Sequence, residues 1–165
     1  MANNPGTGWA STVVIGSITG IALTVDRLPE RVASHFAADG MATSYMTRQA
    51  YLLFTIGLVV LLPAFVGIVI VVAARHFPRF VNLPNRDYWL APERREATIS
   101  FLTAHSAWLA ALFATFAFAI HLLLIRANRA VPPRLESGPF LALMLVFSIV
   151  VVIWISALAR RFRRD

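Results

Sequence analysis

His121 stands in an apolar run, His105–Ile125, that holds no other ionisable side chain after His105. An imidazole in such a segment must find a partner, and it brings a donor, an acceptor and a potential metal ligand to one place. Ala107, Ala111, Ala114, Phe118 and His121 fall at helical spacing on one narrow sector. The histidine therefore shares a small-residue face that is expected to turn into a helix bundle. A second polar group follows the first apolar run, where Asp26, His35 and Asp39 lie within fourteen residues. If the chain brings these to His121, two chemistries are open: a hydrogen-bonded network, or a site for a borderline cation that accepts imidazole and carboxylate from distant positions. A network is the expectation, because a loop supplies three-ligand geometry poorly. No metal and no cofactor is assigned. Glycine-rich phosphate loops, HExxH and GxSxG are all missing from the sequence, so it is read as non-enzymatic. Transport is disfavoured too, since substrate and ion paths through a membrane usually need ionisable groups that these runs lack.

Four apolar stretches must position these residues: Trp9–Val25, Tyr51–Ala74, His105–Ile125 and Phe140–Ala159. Each approaches the roughly 20 residues with which an α-helix crosses about 30 Å of hydrocarbon. The expected fold is all-α, with four transmembrane helices over about 9–25, 51–74, 103–126 and 140–159. Composition agrees, with 58% hydrophobic and only 14% charged residues and a mean hydropathy of +0.70, against about 25% charged in soluble domains. The polar segments are too short for a core of their own, so residues 1–165 are read as one membrane-embedded domain. Met1–Gly8 carries no basic residue, and the first run is taken as a retained helix rather than a signal peptide. There is no cysteine, hence no disulfide or thiolate site.

All 15 basic residues are arginine, and they sit at loops and helix ends. That placement speaks for topology signals and lipid headgroups rather than nucleic acid. With four spans, nine arginines fall on the side of the termini and six on the other, so the positive-inside rule puts both termini in the cytoplasm. Pro92 is suited to a first helical position and Glu93 to the positive end of the helix dipole. From there to Ile125 no breaker intervenes, about 50 Å of helix. Its beginning must protrude, and Pro92–Leu102 is expected as a short interfacial helix before the third span, in line with it or bent away. In the first run Gly16 and Gly20 form a GxxxG pair, which lets another helix approach closely. A homodimer is one use of it; packing within the bundle is the expectation.

Between the first two spans lies the sharpest local pattern, Leu28-Pro29-Glu30-Arg31-Val32-Ala33-Ser34-His35-Phe36, followed by Asp39-Gly40. Val32–Phe36 reads as extended, and Asp-Gly favours a tight reversal, so a small outward loop or hairpin is expected over the bundle. His121, about one turn below that surface, then comes within reach of His35, Asp39 and Asp26. The motif formed by Leu28, Pro29, Arg31, His35, Phe36 and Gly40 resembles a bacterial domain of unknown function found at the front of SdpI-type immunity proteins. The likeness covers about Leu28–Val72. Asn82–Arg94 is similar to the linker of short, stand-alone members. The resemblance implies a multi-pass protein of the bacterial cytoplasmic (inner) membrane that meets a secreted peptide or another membrane protein at its outer face, immunity-like or sensory. The alternative is an accessory subunit packed against a larger membrane complex.

Overall fold

The computed structural model describes residues 5–163, with side chains from Gly8 onward. Helix α1 (Pro5–Thr24) leads through a 3-10 turn into strand β1 (Arg31–Phe36), and strand β2 (Ala42–Thr47) runs straight into α2 (Arg48–His76). A loop holding the single turn α3 (Arg86–Trp89) precedes α4 (Pro92–Arg129), and α5 (Ser137–Phe162) follows a short connection. Four of these helices are long and apolar enough to cross a membrane. The connections gather at two ends: the hairpin and the α4–α5 loop at one, the α2–α4 loop and the last residue of α5 at the other.

Local chemistry fixes where the long helices start and stop. Thr47 accepts the Ala50 N–H through Oγ1 at 3.1 Å, satisfying one of the open donors at the start of α2. Pro92 opens α4 where no N–H partner is needed, and Arg126 and Arg129 close it at the negative end of the dipole. Helix α4 is the spine against which α1, α2 and α5 pack. Its Ala111 and Ala114 are buried and His121 is wholly inaccessible, as the small-residue sector requires. Phe118, on the same sector, lies against Gly20 of α1. The largest buried cluster sits at the hairpin end, where Val25, Leu28, Val32, Tyr51, Leu124 and Ile125 meet.

Helix α5 buries only Phe162 among its described residues, and it is held to α4 by a ladder of rings. Phe147 stacks on Phe116 with centroids 4.1 Å apart, and Phe162 meets Phe101 edge-on at 5.6 Å. Between them Trp154 stacks on His105 at 4.5 Å, its Nε1–H donating to the His105 carbonyl while the imidazole bonds the Trp154 carbonyl. Offset ring pairs of this kind add about 0.5–1.5 kcal/mol each beyond their buried area.

Of the two forms expected for Pro92–Leu102, the in-line one is found: it is the first part of an unbroken α4, about 57 Å long, because nothing between Pro92 and Arg129 interrupts the backbone hydrogen bonding. One expectation changes. The Gly16 and Gly20 pair divides, with a Cβ at Gly20 meeting the Phe118 ring at 2.7 Å and a Cβ at Gly16 meeting nothing within 4 Å. Only Gly20 is therefore a close-packing position within the bundle. His105 is an interhelix contact, because Trp154 offers both a ring face and a carbonyl.

Candidate functional site

The hairpin is antiparallel, from Arg31 opposite Thr47 to Phe36 opposite Ala42, with irregularities on either side of His35. Gly40 closes the turn at φ +84°, a backbone state open to glycine without a Cβ penalty. Its N–H bonds the Ala37 carbonyl, and Asp39 Oδ1 accepts the Met41 N–H at 2.9 Å. Of the Asp-Gly pair only Gly40 takes positive φ; Asp39 contributes as a side-chain acceptor.

Two anchors attach the hairpin to the bundle. Asn128, near the end of α4, accepts the Ala33 N–H at 2.7 Å and donates to the Ala33 carbonyl at 3.1 Å, so one amide serves the open edge of β1 as a neighbouring strand would. The α4–α5 loop does the same at the tip: Leu135 N–H bonds the Gly40 carbonyl at 2.9 Å, Ala42 N–H the Pro133 carbonyl at 3.3 Å, and Arg134 donates to the Asp39 carbonyl at 3.2 Å.

Beneath the hairpin, His121 joins three helices. The Thr24 hydroxyl donates to the Gly20 carbonyl one turn back, so toward the ring it accepts from His121 Nε2–H at 2.9 Å. With Nε2 protonated, Nδ1 is the acceptor, and the Tyr51 hydroxyl donates to it at 2.9 Å. The result is one directed chain from Tyr51 on α2 through His121 on α4 to Thr24 and Gly20 on α1. A neutral imidazole satisfies every member. The Tyr51 and His121 rings are nearly parallel, 18° apart with centroids at 5.7 Å.

The expected convergence of Asp26, His35 and Asp39 on His121 does not occur, because both imidazole nitrogens are taken by hydroxyls. Asp26 leaves the 3-10 turn with its side chain 86% exposed and faces Arg48 at 3.5 Å. Asp39 caps its own turn. Among the described residues no group of three or more His, Asp or Glu side chains is placed to hold a metal ion. The motif residues divide by role: Leu28 is in the core, Phe36 packs against it and Gly40 makes the turn. Pro29 is exposed, and Arg31 lies over the Tyr45 ring at 5.7 Å.

His35 remains exposed, and it marks the junction of two apolar cavities. One, of about 510 Å³, opens between the hairpin, α4 and the start of α5, along Phe36, Leu123, Leu135 and Phe140. The other, of about 480 Å³, lies between the hairpin, α2 and α4, along Met46, Tyr51, Phe54, Leu58, Phe113 and Phe116. Ser34, His35, Ile120 and Leu124 line both. The Ser34 hydroxyl donates to the Ser44 carbonyl at 3.4 Å and lies 3.3 Å from His35 Nδ1. His35 Nε2 has no protein partner among the described residues and lies at the rim of both cavities. Each cavity is in the size range of small-molecule sites. Arranged in this way, the hairpin end suits an amphipathic group whose apolar parts enter on either side of Ile120 while a polar part meets His35. No family model, curated protein or solved structure matches the chain.

Thr24, Tyr51 and Asn128 carry the site without standing out in the sequence. Thr24 is one of several hydroxyls in the first run, and Tyr51 begins an apolar run as any interfacial aromatic would. Asn128, a lone amide between Arg126 and Arg129, is the one with a readable signal: a side chain with two donors and an acceptor directly after an apolar helix.

Proposed function

We propose that the chain is a non-enzymatic recognition protein of the bacterial cytoplasmic membrane, immunity-like or sensory, with both termini in the cytoplasm and the hairpin end outside. Its ligand is amphipathic, such as a secreted apolar peptide or a segment of another membrane protein. Supporting this function is one observation above all, the pair of apolar cavities that share the Ser34–His35 rim. The resemblance of Leu28–Val72 to the front of SdpI-type proteins points the same way. The Tyr51–His121–Thr24 chain serves recognition indirectly, by locking the three helices on which the hairpin rests.

Phe140 and Phe54 each line one cavity, and a photoreactive benzoylphenylalanine fits at either position. Irradiated cells are expected to yield the same peptide or protein adduct from both sites, lost when Ile120→Trp narrows both cavities at once. Adducts to phospholipid alone, unchanged by Ile120→Trp, would contradict recognition at this end. The accessory-subunit alternative rests on α5, whose large apolar residues Leu141, Leu145, Ile149, Val152 and Ile153 are exposed. It predicts adducts from that face instead.

A further inference from the structure

The end opposite the hairpin holds eight described arginines, Arg75, Arg79, Arg86, Arg94, Arg95, Arg160, Arg161 and Arg163, against the three carboxylates Asp87, Glu93 and Glu96. Arg75 pairs with Glu96 and Arg86 with Asp87, while Arg160 and Arg163 have no carboxylate partner among the described residues. Arg160 lies on one face of α5 with Val152 and Ser156, at steps of four residues, and Arg163, the extended residue directly after the helix, borders the same face. An open groove of about 490 Å³ follows that face, lined by Val152, Ile153, Ser156 and Ala159 and bordered by Arg160 and Arg163. Arg160 Nε donates to the Ser156 carbonyl at 3.3 Å, which aligns the side chain along the helix and leaves its terminal N–H groups open.

The helix end that carries them is fixed in place. Asn85 and the Trp89 indole both donate to the Phe162 carbonyl at 3.2 Å, and Arg161 points away from the groove, over the rings of Trp89 at 4.6 Å and Phe101 at 5.4 Å. Arg160 and Arg163 are thus presented at the end of an apolar helix, at the level where phosphates of a bilayer lie.

We propose that this face of α5 is a site for an anionic phospholipid, with the headgroup phosphate between Arg160 and Arg163 and an acyl chain along Val152 and Ile153. Two unpaired guanidiniums suit a phosphate oxygen pair, and arginine offers the fork geometry for it. A zwitterionic lipid fills the apolar wall equally well but brings its own cation to an end already rich in them. The site is independent of recognition at the hairpin end.

Native mass spectrometry of the full chain released from bilayer discs of phosphatidylcholine with a minority of phosphatidylglycerol reads out the site. The parent is expected to retain phosphatidylglycerol selectively, and excess glycerol phosphate is expected not to displace it. Arg160→Gln with Arg163→Gln should lower that retention about thirtyfold and Arg163→Gln alone about fivefold, at the usual worth of one arginine near an anionic surface. A control pair that removes the same charge at the hairpin end, Arg27→Gln with Arg129→Gln, should leave it unchanged. Arg163 lies beyond the last residue of α5, so its single variant tests the site even if the double variant unfolds. Equal retention of both lipids by the parent, equal loss from both arginine pairs, or displacement by glycerol phosphate would each overturn the proposal.

Discussion

At the hairpin end, His121, Asn128 and Arg134 spend their polar atoms on hydroxyls and backbone groups of their own chain. At the opposite end, Arg160 and Arg163 leave their guanidinium groups open. The reason lies in the surroundings. An imidazole between three helices has no water to turn to, so the fold must supply its partners. An arginine past a helix end reaches headgroups and water, and the fold need only hold its stem. The hairpin end, with its buried polarity consumed internally, is left with apolar cavities and one imidazole nitrogen without a protein partner at their rim. The other end keeps the guanidinium groups of Arg160 and Arg163 open, and the proposed lipid site rests on these.

The largest effect should come from breaking the internal chain. His121→Ala strands the Tyr51 and Thr24 hydroxyls and leaves a void, at a cost of about 3 kcal/mol in detergent unfolding. The loss is expected to be the same with and without a chelator. A parent-like midpoint would mean that the hydroxyls carry the helix contact without the imidazole, and a loss that vanishes in chelator would restore a metal site.

Gly40→Val comes next, at about 2 kcal/mol, since φ is positive there and a Cβ collides with the Leu135 carbonyl. The loss should appear with faster amide exchange at Leu135 and Ala42, the two donors that stitch the tip to the α4–α5 loop. Unchanged exchange would show that the loop does not anchor the hairpin.

Gly20→Leu is expected to destabilise by about 1–2 kcal/mol through overpacking on Phe118, while Gly16→Leu leaves stability unchanged. Equal effects of the two would place Gly16 in a contact that the bundle alone does not make.

The contrast between those glycines marks where the sequence was legible. Four helices long and apolar enough to cross a membrane followed from apolar length alone, and the inward sector Ala111, Ala114 and His121 from helical spacing, because both depend on one helix at a time. The Asp-Gly turn and an extended Val32–Phe36 were equally local. What failed needed two elements at once. A GxxxG pair does not say which glycine meets a neighbour, and that is decided by Phe118 on another helix. The cluster of Asp26, His35, Asp39 and His121 failed for the same reason. Which hydroxyl meets a buried imidazole cannot be singled out among many serines and threonines, and charged residues in turns find water or arginine first. A hydroxyl of helix one as the structural partner of His121 was within reach of reasoning, and Thr24 supplies it.

The smallest effect should be at the hairpin end's exposed ion pair. Asp26→Ala removes a partner of Arg48, yet Asp26 is 86% exposed and Arg48 also bonds the Leu28 carbonyl at 3.2 Å. A change within about 0.5 kcal/mol is expected in thermal unfolding. A larger loss would show that the charge at this end is structural and that the contrast between the ends is weaker than drawn.

The central claim is that the two ends face different compartments, the hairpin end outward to meet its ligand and the arginine end toward the cytoplasm. The chain has no cysteine, so single-cysteine variants report without background. In intact cells, a membrane-impermeant maleimide should label His35→Cys, and it should label Arg86→Cys only after permeabilisation. Labelling of Arg86→Cys in intact cells with His35→Cys protected would contradict the account, since the cavities would then open on the cytoplasmic side.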